Sequence, residues 1–300
     1  MMNYCYPHTY KTRGAIYSFI VGVIVIFNSS CGSKSNSPVE AADSTKQDVT
    51  VVREDVLKSL HRSDITTQLH SKGIDFNKEF LHDVSRTNHY TRRSNKGAAA
   101  ANLGIYLSDL NYLIAFDQRE SAGLYFDACL KLSEYSGLKK QFGEALQFGF
   151  NEIISGDQEL EKKFNQLFRN ADNTATDEEF KKLHASALTG YYLEELYHVV
   201  RFVQSYQPAD TTTQVFLASV KTLVDQKDEL NNLIAYFDHI QLKPAGISAY
   251  QELLALQRKY LALDREKLIS ETDPSALLQN GQLQGIFNDI ISIRQRIIDF

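Results

Sequence analysis

Cysteine is scarce in this chain: there are three in 300 residues, at positions 5, 31 and 129, too few for a disulfide framework. Cys129 lies in the apolar helical pattern YFDACLKLSEYSG, with no histidine or second cysteine at ligand spacing, so it reads as a small core residue. A structural zinc site is therefore not expected. Sustained alternation with period two is missing as well, which excludes a sheet. Positive charge is in deficit, with 32 Lys and Arg against 37 Asp and Glu and a net charge of −5. That balance argues against nucleic acid or an anionic lipid surface as a partner.

What is present begins with a signal. Lys11 and Arg13 precede the apolar run Gly14 to Phe27, and no acid occurs before Cys31. Fourteen residues at about 1.5 Å each make roughly 21 Å of helix, short of the roughly 30 Å of hydrocarbon that a spanning segment crosses. Ser29 and Ser30 come just before Cys31, and a Gly/Ser stretch follows. This resembles the lipobox of bacterial lipoproteins, in which the cysteine is diacylglycerated, the peptide before it is removed and the new amino terminus is acylated. Asn28 departs from the pattern, standing where that family usually has leucine or another aliphatic residue. The resemblance implies that Cys31 tethers the protein to a bilayer, since several acyl chains at about 0.8 kcal/mol per buried methylene hold it there. Residues 1–30 are then the signal peptide. Their loss leaves 270 residues with a charge of −7 and leaves Cys129 without a partner.

Residues 31–50, rich in Ser, Lys, Asp and Ala and without aromatics, read as a flexible tether. Residues 51–300 are expected to form a single all-α domain. The stretch Val51 to Ser94 is mixed, with a short helix around Glu54 to His61, a turn at Gly73 and a helix around Asn77 to Val84. From Ser94 onward the period is helical. Ser94 or Asn95 caps a helix running to about Phe116, and a second, Arg119 to Tyr135, ends at Gly137. Helices at Lys139 to Ile154 and Gln158 to Arg169 follow. Thr176 and Glu179 form a capping box for a long helix to about Tyr206, stopped before Pro208. Three more are predicted over Thr212 to Ile240, Ser248 to Leu268 (ended ahead of Pro274) and Leu283 to Phe300. The last has Ile286, Ile290, Ile293 and Ile297 on one stripe. Short connections favour an irregular multi-helix bundle or stacked antiparallel pairs. Ala122, Tyr125, Phe126, Cys129 and Gly137 make part of it tetratricopeptide-like, but the pattern does not recur 34 residues away.

Two helices are apolar nearly all round and hold the interior charge. In LHASALTGYYLEELYHVVRFV, Glu194, His198 and Arg201 point to similar angles, near Tyr191 and Glu195. The helix from Ala98 to Phe116 holds Asp109 between Tyr106 and Tyr112. An isolated buried carboxylate is very unfavourable, so pairing is expected, Glu with Arg and Asp with Tyr, in a network that fixes helix register. A ligand pocket near Asp109, Glu194 and His198 is the alternative. Catalysis is not expected, because no nucleophile or general base stands beside a positioning partner. A di-iron carboxylate reading pairs Glu195-x-x-His198 with Glu79-x-x-His82, with further glutamates from Glu134, Glu144 or Glu152. Glu79 lies in the polar stretch NKEFLHDVS, and such matches arise readily by chance, so neither a metal nor a cofactor is expected. The basic cluster Arg92, Arg93 and Lys96 reads as a solvated loop, and the acidic Asp177 to Glu179 suits a first helical turn.

The segments KGAAAANLGIYLSDLNYLIAFDQ, a Y-F-x-A-x-x-L helix, GYYLEELYHV, DQKDELNNLIAYF and a closing I-x-I-R-x-x-I are together similar to exported helical lipoproteins of Bacteroidetes-type bacteria. The resemblance covers most of Lys96 to Phe300. It implies an anchored all-α domain with no assigned activity and no active-site residues. Function is then expected to be that of a lipid-anchored scaffold or interaction module meeting another envelope protein. No acid follows Cys31 before Glu40, so the acidic tag of some surface-displayed lipoproteins is missing. The inner leaflet of the outer membrane, facing the periplasm, is the expected location.

Overall fold

The computed structural model describes residues 70–71, 74–92, 94–139, 178–207, 212–239 and 249–299. The chain divides into two units, Met1–Ala42 and Asp43–Phe300, and all described residues belong to the second. The expected signal and tether, the helix at Glu54 to His61, the turn at Gly73 and nearly all of the two helices expected between Lys139 and Arg169 lie outside them.

The described residues form an all-α multi-helix bundle and contain no strand. Two 3-10 turns, Lys78–Phe80 and Val84–Arg86, lead into α1 (Thr87–Arg92) and then α2 (Lys96–Ala115). Asn95 caps α2 by accepting a hydrogen bond from the Ala98 amide at 3.0 Å, as its sequence position predicts. Asp117, at φ 54°, reverses the chain within three residues, so α3 (Arg119–Ser136) returns antiparallel along α2. Gly137, at φ 88°, ends α3 in the left-handed conformation that glycine adopts without strain. Ala122, Tyr125, Phe126 and Cys129 are the buried face of α3.

The centre is the seam between α2 and α4 (Glu178–Ser205). Lys96 pairs with Glu179, Gly104 meets Ala187 and Asp109 meets His198, so residue numbers rise together and the two helices run parallel. Small residues set their separation. A Cβ on Gly104 would lie 1.9 Å from the Ala187 carbonyl oxygen, and one on Gly190 would lie 1.9 Å from that of Ala101. Only glycine lets the two backbones come this close. Helices so enclosed are apolar on every side, and α2 is buried along almost its whole length.

The remaining helices are α5 (Thr213–Val224), α6 (Lys227–His239), α7 (Ala249–Leu261), α8 (Arg265–Ser270), α9 (Pro274–Leu278) and α10 (Gly281–Asp299). α10 packs against α2, α4 and α7, burying Ile286, Ile290, Ile293 and Ile297 as the predicted stripe. Three predicted helices are broken. The segment 212–240 divides at Asp225 and Gln226, where Asp225 binds Arg265 at 2.6 Å and the acids Asp228 and Glu229 open a new first turn. The segment 248–268 divides before Asp264, whose carboxylate caps α8 through the Lys267 amide at 3.2 Å. The helix expected over 77–84 is replaced by the two 3-10 turns, because Asn77 and Asp83 turn their side chains back onto the amides of Glu79 and Ser85. Pro274 opens α9 instead of only ending what precedes it.

Candidate functional site

Four charged or ionisable side chains meet inside the bundle from three helices. Asp109 comes from α2, Glu194 and His198 from α4, and Arg294 from α10. Arg294 donates from Nε to Glu194 Oε2 at 2.5 Å and from Nη2 to Oε1 at 2.7 Å, a two-pronged pairing that suits the planar guanidinium. Its face also lies 3.8 Å from the Tyr197 ring centroid. His198 Nε2 is 3.0 Å from Asp109 Oδ1 and 3.7 Å from Glu194 Oε1, and its ring stacks obliquely on Tyr112. Asp109, Glu194 and His198 are each 0% exposed, so no water-sized space lies against them.

A strap, residues 77–86, closes the junction from outside. Its His82 amide donates to Asp109 Oδ2 at 2.9 Å. Three buried tyrosines hold the strap's main chain: Tyr106 donates to the Asp83 carbonyl at 2.8 Å, Tyr125 to the His82 carbonyl at 2.7 Å, and the Tyr112 hydroxyl accepts from the Asn77 amide at 3.0 Å. The amides of Asn77 and His82 and the carbonyls of His82 and Asp83 thus find partners on helices. The His82 ring hydrogen-bonds the Tyr90 hydroxyl at 2.7 Å, and Tyr90 donates to the Ile298 carbonyl of α10.

Burial dominates the electrostatics. It pushes the Asp109 carboxyl up to about 7, against the pull of Arg294 and of the His82 amide. It pushes Glu194 up to about 7, again opposed by Arg294. It lowers His198 to about 4, more than the neighbouring Glu194 raises it, and lowers His82 to about 3, with Arg294 adding to the effect. Both imidazoles are neutral in the fold. The Tyr106 and Tyr125 hydroxyls are likewise pushed well up by burial, so they act only as hydrogen-bonding groups.

The donor set does not fit a resident metal ion. One atom each from Asp109, Glu194 and His198 lies within 4.8 Å of the other two. Three protein ligands leave a fourth position to water or substrate, and these side chains leave no room for either. Coordination through Nε2 would also put the imidazole proton on Nδ1, which is buried without a hydrogen-bond partner, whereas metal-binding histidines anchor that nitrogen. Arg294 already occupies both oxygens of Glu194. The two Glu-x-x-His pairs do not converge either. Glu79 is exposed, and Glu195 accepts a hydrogen bond from the Ser108 hydroxyl at 3.2 Å.

The predicted residues are brought together in part, with different pairings. Glu194 takes Arg294, not Arg201, which sits half-buried beside the Tyr197 ring with its Nε unpartnered. Asp109 takes His198 and the His82 amide, while Tyr106 and Tyr112 bond to the strap. Tyr191 accepts from the Asn111 side chain at 2.8 Å, outside the junction. Arg294 is the residue that sequence reasoning missed. Its signal was spacing, because it stands four after Ile290 and three before Ile297, on the arc of the buried stripe. No family model, curated protein or solved structure matches this chain.

Proposed function

We propose that this chain is a lipid-anchored cell-envelope protein that works as a helical scaffold or interaction module, tethered through Cys31. The observation that carries this reading is the sealed junction. Its side chains pack and hydrogen-bond against one another without exposed surface and leave no space for a ligand, so they hold α2, α4 and α10 in register and leave recognition to the outside of the bundle. The lipobox-like sequence around Cys31 supports the anchor, and among the described residues no helix is long and apolar enough to cross a membrane. The missing acidic tag after Cys31 favours the periplasmic face of the outer membrane.

Crosslinking in intact envelopes, followed by capture of the tagged full-length chain, tests the role. A defined envelope protein recovered with wild type but lost when exposed Leu124 or Leu261 is replaced by glutamate supports an interaction module. Recovery of the chain alone, with a small molecule retained through purification, sinks it. Protease treatment of whole cells tests the placement, since digestion would put the domain outside.

A further inference from the structure

Charge at the junction of α2, α4 and α10 does not balance through side chains alone. With Asp109 and Glu194 ionised and Arg294 their cation, one negative charge is left where water does not reach. Three things could neutralise it. A metal ion fails for the reasons above. A protonated His198 would carry a second N–H on Nδ1, which is buried and has no acceptor. A proton between the two carboxyls leaves no further N–H or O–H without an acceptor, and it turns a like-charge contact into an O–H···O hydrogen bond. Glu194 has both oxygens held by the guanidinium, so Asp109 is the better seat.

We propose that Asp109 and Glu194 hold a single proton between them, taken up as α2 closes on α4 and released when they part, so that the junction is a proton-operated clasp. Every described group facing Asp109 agrees. From α4 come Glu194 and a neutral His198, and from α10 comes Arg294, already matched to Glu194. From α3 come Tyr125 and Cys129, both pushed up by burial and so uncharged. From the strap comes the His82 amide, its ring turned to Tyr90, and on α2 itself Tyr106 and Tyr112 are neutral. Among the described residues none supplies a second positive charge. Because burial lifts the carboxyls to about 7, the folded protein keeps a proton that the unfolded chain has lost. That contribution to stability is complete below pH of about 4 and is lost as pH rises to about 7.

The test compares urea unfolding of the full-length chain with that of Asp109→Asn from pH 4 to 9. Asparagine is neutral, still accepts from the His82 amide and still donates to Glu194. The histidines are common to both proteins, so their titration cancels in the comparison. The folded-to-unfolded ratio of the variant relative to wild type is expected to rise about tenfold per pH unit up to about pH 7 and then level off. A relative ratio that does not change with pH overturns the proposal. Infrared spectroscopy reads the proton without unfolding. A buried protonated-carboxyl stretch at pH 6 that is absent from Asp109→Asn supports the clasp, and no such band in wild type overturns it. Stoichiometric metal that copurifies with wild type and is lost from the variant also overturns it, by putting a cation where the proton belongs.

Discussion

Arg294 and Glu194, 100 residues apart in sequence, form the two-pronged ion pair that ties α10 to α4 inside the bundle. Removing one partner leaves the other charged and buried, which is worse than removing both. Arg294→Met is expected to destabilise the protein by about 3–5 kcal/mol, whereas adding Glu194→Leu to it restores much of the loss. Chemical denaturation of the two single variants and the double variant measures the coupling. Additive losses would show that the pair does not act as a unit.

The α2–α4 seam gives the steepest steric prediction. Gly104→Ala or Gly190→Ala puts a methyl carbon against a main-chain carbonyl that cannot rotate away, so the helices must separate. The expected loss is about 3 kcal/mol or more, the upper part of the overpacking range. Gly281→Ala, where a Cβ would meet nothing, is the control and should stay within about 0.5 kcal/mol of wild type. Thermal unfolding of the three variants decides the point.

Stability should fall on the acid side through the histidines. His82 and His198 are lowered to about 3 and about 4 in the fold, while in the unfolded chain each titrates near 6.5. Below pH 6.5 the unfolded state therefore binds protons that the folded state does not, and stability present above that pH is lost as pH falls toward 4. Each histidine should contribute up to about tenfold per pH unit to the unfolding equilibrium. Replacing His198 with glutamine should remove about one proton from the acid slope, and an unchanged slope would place the titrating group elsewhere.

The strap should loosen one hydroxyl at a time. Tyr106→Phe and Tyr125→Phe keep the packing but leave the carbonyls of Asp83 and His82 without these donors. Each should cost about 1–2 kcal/mol. Limited proteolysis should then cut within residues 77–86 before any other described segment, and cleavage elsewhere first would mean that the tyrosines do not hold the strap.

The proposed anchoring runs through Cys31. Cys31→Ala is expected to abolish incorporation of labelled fatty acid and to move the protein from the membrane to the soluble fraction. Retention of label would sink the tether.

Much of the fold was legible because helices announce themselves locally. The Asn95 cap, the Gly137 stop and the isoleucine stripe of α10 are short-range signals, and each is found where the residues place it. The breaks at Asp225 and Asp264 were less legible because each depends on a partner outside the periodic pattern or on a cap inside a longer apolar run. The junction was half legible. A nearly all-apolar helix with one carboxylate shows that the charge is buried, hence Asp109 and Glu194. It does not say which distant cation will answer it, because helical spacing reports neighbours on one helix and Arg294 arrives from another. Arg201, three residues beyond His198, was the local choice, yet the bundle turned a different guanidinium inward.

The order in which the helices are made gives the ion pair a further meaning. α4 emerges carrying a carboxylate that no earlier described helix neutralises, and its cation arrives only with α10, the last helix described. A nascent chain therefore cannot seal its interior until synthesis has almost reached the end of that helix. Any version cut before Arg294 would expose greasy, unpaired surface to proteases and chaperones, so the bundle carries its own completeness check.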